Sequence, residues 1–118
     1  LNGVNLINAD LSYSKLHNAN LCRANLTSAN LENANLKGTN LNKAILDKAN
    51  LFKANLKATN LIRADLEFVD FSEANLSQAN LSGAKLADAN FSNAILTGAD
   101  LRGADTLDTD FSGSKGFK

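Results

Sequence analysis

The sequence predicts an all-β fold, a four-sided solenoid of about six coils, on three observations. Leucine or phenylalanine occupies every fifth position from Leu1 to Leu101 without exception. Within each five-residue unit a small residue, a polar residue and that apolar residue alternate, as in Ala19-Asn20-Leu21. The phenylalanines that replace leucine at this position, Phe71, Phe91 and Phe111, are spaced by 20.

The period excludes the usual elements. Five residues of α-helix turn through about 500°, so successive leucines would smear around the cylinder instead of forming one stripe. A continuous strand fails as well, because an odd period sends alternate leucines to opposite faces. If the chain turns a corner once per unit, every leucine points inward. We call that residue the centre. The residue two before it is Ala in 16 of 23 units, and otherwise Val, Ser or Thr, which predicts a second, smaller inward position. The residue just before the centre is Asn or Asp in 18 of 23 and points outward. The spacing of the phenylalanines favours four corners per coil, since a triangular coil would mix each Phe with Leu or Thr. The predicted core therefore includes stacked Leu21, Leu41 and Leu61, and stacked Phe71, Phe91 and Phe111. At a coil spacing of about 4.8 Å the predicted object is a rod roughly 28 Å long.

Units such as Ala24-Asn25-Leu26-Thr27-Ser28, Ala34-Asn35-Leu36-Lys37-Gly38 and Ala99-Asp100-Leu101-Arg102-Gly103 resemble the pentapeptide-repeat family, A-(D/N)-L-x-x, over about Val4 to Phe111. The resemblance implies a right-handed quadrilateral β-helix, and the handedness comes from the resemblance alone. It also implies a lineage of cyanobacterial or plastid type and a tendency to pair end to end.

The domain organisation expected is a single unit over residues 1–118, with regular repeats from about 4 to 105 and an irregular end from 106 to 118. Thr106 occupies a centre and Leu107 follows it, which predicts a bulge or loosened corner. Gly116 at the last centre predicts that the repeat stops, with Phe117 as a minimal cap. Outward positions depart from Asn/Asp to Lys at 15, 85 and 115 and to Ile at 45 and 95. Ile7, Phe52, Ile62 and Phe68 are also outward and fall on several faces.

Charge sums to zero but is unevenly spread. Residues 11–63 carry eight basic and two acidic side chains, net +6, and residues 64–110 carry two basic and nine acidic, net −7. Such asymmetry concerns partners, not fold. No apolar stretch approaches the roughly 20 residues that span a bilayer, so a soluble protein is expected, with its compartment unassigned. The opening on Leu1 leads to the expectation of a product trimmed of an N-terminal segment. The single cysteine, Cys22, excludes an internal disulfide framework.

Candidates for chemistry are few. His17 and Cys22 are the only residues of their kinds and sit just after centres, as ordinary surface residues. A zinc site needs about four ligands, and a nucleophile needs a base within reach. Neither metal nor cofactor nor catalytic residues are expected, and no enzyme. The Asn column at 20, 40, 60 and 80, ending in Asp100, predicts stacked amides, and Thr39 and Thr59 a stacked inward pair. Arg23, Lys43 and Arg63, spaced by 20, form the candidate patch for an anionic partner. The function expected is a non-catalytic structural or protein-interaction module presenting a patterned rod surface, with an end-to-end homodimer as one mode of association. The alternative is a DNA mimic that protects a type II topoisomerase, which the resemblance suggests and the acidic 64–110 half fits in part. Direct nucleic-acid binding is not expected at zero net charge without interleaved aromatics.

Overall fold

The unit around Leu41 shows how five residues use their backbone. The Leu41 N–H donates to the Asn60 carbonyl (2.8 Å) and the Lys43 N–H to the Ile62 carbonyl (2.9 Å), both one coil ahead. The Ala44 N–H turns back to the Leu41 carbonyl (3.0 Å), and the Ile45 N–H reaches the Ala24 carbonyl (2.9 Å) one coil behind. The fifth donor, Asn42 N–H, is taken by the side chain of Asn40 (Oδ1, 3.0 Å). Every donor is thus satisfied, four by backbone and one by the polar residue before the centre. That is the physical reason for Asn or Asp there: a short side chain with an oxygen acceptor reaches the N–H two residues on.

Residue 3 of each unit, the second after the centre, is in the left-handed region. Arg23 has φ 59°, Lys43 φ 58° and Arg63 φ 56°, and the glycines at this position lie between 67° and 72°. With the turn closed from centre carbonyl to the N–H three residues on, positive φ at the third turn residue alone is the geometry of a type II turn.

The computed structural model describes residues 1–116. Through them, parallel bridges join residues 20 apart, from Asn5–Asn25 to Ile95–Lys115. Stacked turns enclose one apolar interior in which Leu21, Leu41, Leu61, Phe71 and Phe91 are fully buried, with Phe111 partly buried against them. The Phe71 and Phe91 rings stack at 4.7 Å between centroids, and Phe91 and Phe111 at 5.2 Å. Thr39 and Thr59 are buried among alanines, and each hydroxyl donates to a centre carbonyl of the coil behind, Leu16 (2.7 Å) and Leu36 (2.8 Å). A polar group enters this core only with its bond made.

The expected fold class is corrected by this geometry. A right-handed quadrilateral β-helix, an all-β solenoid of about six coils, has sides made of strands. Among the described residues there is no helix, no strand and no β-sheet, only isolated single-residue bridges. With two residues of every five spent in a turn, one residue per unit is left to bridge, whereas strands run to about 3–10 residues. The rod is corrected too. The molecule measures 33 × 24 × 21 Å, a block whose length is well under twice either width. The functional expectations that needed a rod, the patterned rod surface and the duplex mimic alike, are overturned with it.

The bulge expected at Thr106 does not form. The Thr109 N–H still closes its turn on the Thr106 carbonyl (3.2 Å), and Asp105 and Asp110 still bridge to Lys85 and Asn90. Leu107 simply occupies an exposed turn position. The cap expected of Phe117 lies outside the described residues. No helix among the described residues is long and apolar enough to cross a membrane.

Candidate functional site

Arg23, Lys43 and Arg63 each take the left-handed turn position of successive coils, and all three are exposed. Their turns are tied directly to one another, since Arg23 N–H donates to Asn42 (2.9 Å), Lys43 N–H to Ile62 (2.9 Å) and Arg63 N–H to Ser82 (2.9 Å). Asn40 and Asn60 hold the turns of Lys43 and Arg63 through their Oδ1 atoms, and Asn20 that of Arg23. The sequence register thus brings the three cations into one column, at a rise of about 4.8 Å per coil. Among the described residues none of them has an ion-pair partner, and the ion pair found there is Arg102 with Asp100 (2.7 Å).

Above Arg63 the column changes character. Gly83 and Gly103 leave the corner without side chains, and a groove of about 450 Å³ opens there, bordered by Lys43, Arg63 and Arg102. Arg63 lies over Gly83, whose Cβ, if present, would stand 3.2 Å from the Arg63 Cγ. The Arg102 guanidinium is held by a fork of bonds to Asp100 (2.7–3.2 Å). Those side-chain bonds, with the Arg102 N–H, hold the Asp100 carboxyl down at about 2. Sequence spacing did not find Arg102, which is on the neighbouring turn column.

The sequence reading also missed a group of carboxylates. Oxygens of Asp47, Asp65 and Glu67 all lie within 4.8 Å of one another. Burial pushes Asp47 up to about 6, helped by the hydrogen bond and charge of Asp65 and by the charge of Glu67, against a Glu67 N–H that favours the anion. One Oδ1 on each of Asp47 and Asp65 is buried with no donor in place. Two acceptor oxygens bond to one another only when one of them carries a proton. At this point Ile45 stands where other units have Asn or Asp, so the Asp47 turn lacks its usual side-chain acceptor.

The remaining candidates stay apart. His17 is exposed and Cys22 is a partly buried free thiol whose N–H donates to Asn20 (3.1 Å). The Asn column serves mainly its own turns, with Asn50 to Asn30 (3.5 Å) a long inter-coil amide contact in the column two corners away. Ile7, Ile45, Ile95 and Phe68 are exposed on separate columns.

A family model for pentapeptide repeats matches this chain in eight copies, over residues 1–27, 29–67, 49–86 and 74–115. Among solved structures, HetL, a pentapeptide repeat protein involved in heterocyst differentiation regulation from the cyanobacterium Nostoc sp. strain PCC 7120, is 31% identical with a TM-score of 0.50, covering 97% of this chain and 62% of its own. AT2G44920, a pentapeptide repeat protein from the Arabidopsis thaliana thylakoid lumen, is 35% identical with a TM-score of 0.54, covering 85% of this chain and 66% of its own. This chain spans less than two thirds of either. No curated protein matches it.

Proposed function

The chain belongs to the pentapeptide-repeat family, whose members are characteristically non-catalytic, and on that premise we propose that it is a binding module engaging an acidic segment of a protein partner through Arg23, Lys43 and Arg63. One observation carries the reading. Three like charges stand at consecutive levels of one exposed column, with no ion-pair partner among the described residues. Stacked cations repel, and an anionic partner spanning the column relieves that repulsion three times over. A regulatory relative, HetL, is compatible with a role exerted through binding.

The test is titration of the labelled protein with poly-glutamate and with duplex DNA of matched charge, at low and high salt, against the triple variant R23Q/K43Q/R63Q. Gln is a fair replacement because Gln78 already occupies the same repeat position at φ 61°. Poly-glutamate binding that weakens with salt and falls at least about tenfold in the triple variant supports the reading. Equal binding by the variant, or stronger binding of DNA than of poly-glutamate, overturns it.

A further inference from the structure

We infer that the segment bound by this column is an α-helix with acidic side chains in one stripe, at i, i+4 and i+7. The inference rests on the proposed acidic partner and adds its conformation. The backbone rises by about 4.8 Å per coil, so the Cα atoms of Arg23, Lys43 and Arg63 stand at about 0, 4.8 and 9.6 Å along the stack. A helix rises about 1.5 Å per residue and places such a stripe at about 0, 6.0 and 10.5 Å. The offsets of about 1 Å are within the reach of flexible Arg and Lys side chains. An extended segment presents same-face side chains about 6.7 Å apart, so its third carboxylate overshoots the third cation by about 4 Å.

The corner beyond Arg63 has room for such an element. Gly83 and Gly103 continue the same column without side chains, and the nearest atom to a Cβ built on Gly103 is the Gly83 nitrogen at 3.8 Å. A helix seated on the cations therefore runs on over the groove of about 450 Å³ instead of meeting a fourth and fifth side chain. Arg102 stands at the edge of that groove with its charge already matched by Asp100, so at this corner the unmatched positive charge lies on Arg23, Lys43 and Arg63. Binding is thereby expected to be strongest where the stripe carries three acidic side chains.

Three synthetic peptides of equal length and equal glutamate content test this, each measured by fluorescence anisotropy with the wild type and R23Q/K43Q/R63Q. One is a side-chain-stapled helix with glutamates at i, i+4 and i+7. The second is the same helix with its glutamates distributed around the axis. The third is an unstapled, β-branched peptide with glutamate at every second position. The expected result is that the striped helix binds at least about tenfold tighter than the other two, and that the triple substitution removes this preference. If the extended peptide or the scattered helix binds as tightly as the striped one, the helical inference is overturned while the acidic-partner reading survives. If no peptide distinguishes the wild type from the triple variant, both fail together. An unfolding temperature of the triple variant no lower than that of the wild type separates loss of charge from loss of fold.

Discussion

Two stacks of like charge sit on adjacent turns of this molecule and meet different fates. Arg23, Lys43 and Arg63 occupy the second turn position, where the left-handed backbone throws the side chain out into water. Asp47, Asp65 and Glu67 occupy the positions on either side of a centre, where the next coil half covers them. The cations keep their solvation and only repel through water. The carboxylates lose part of theirs and must share a proton or bear the repulsion at short range, so Asp47 is pushed up to about 6. The coil register stacks like residues without regard to sign. The position within the five-residue unit decides what that stacking costs.

The largest effect should come from the shared interior behind both stacks. Leu66, fully buried between Asp65 and Glu67, should lose about 2–5 kcal/mol on replacement by Ala, and Leu61 behind Arg63 a similar amount. Urea unfolding would check this. If one leucine matters and the other does not, the two stacks do not rest on one core.

Asn60→Ala should cost about 1 kcal/mol, because the Ile62 N–H in the turn that carries Arg63 loses its Oδ1 acceptor (3.0 Å). A denaturation midpoint equal to wild type would mean that water replaces the bond without loss.

Asp47 provides a comparison in pH. A carboxyl raised from 3.8 to about 6 in the folded state binds more protons there than in the unfolded chain. Its contribution to stability is complete below about pH 4 and is lost as pH rises through about 6. Because the group is only partly covered, solvent screening reduces the effect to about 1 kcal/mol. Asp47→Asn should therefore flatten the decline between pH 4 and 6 and raise the melting temperature at pH 7.5. A wild-type stability that rises over that interval, with the variant unchanged, would count against the shared proton.

The smallest effect is expected at the cation column. R23Q/K43Q/R63Q should gain a few tenths of a kcal/mol at low salt, with the gain vanishing near 0.5 M salt. A loss of stability would mean that these side chains make packing contacts that their exposure does not suggest.

Several of these features were legible beforehand. The Phe71, Phe91 and Phe111 spacing announced the 20-residue register, which the bridges and ring stacks share. The left-handed turn position has a signal of its own in the sequence: six of the seven glycines, at 3, 38, 83, 98, 103 and 113, sit at the same place in the unit. Glycine collects where φ must be positive, and Asn and Asp follow it there at 8, 18, 33, 88, 93 and 108. Column counting places Asp47 and Glu67, 20 apart, in one column but does not add Asp65 to them. Asp47 follows one centre and Asp65 precedes another, so they belong to different columns and meet only because their side chains lean together across a corner.

By itself the sequence determined the periodic interior and the column of cations, because both follow from counting residues once a leucine must face inward every fifth place. Tertiary structure alone decided that no strand forms, that the stack is a block and not a rod, and that three carboxylates meet while three cations stand apart. Those outcomes depend on where each turn spends its hydrogen bonds and on how far the next coil covers a side chain, distances that a repeat pattern does not contain.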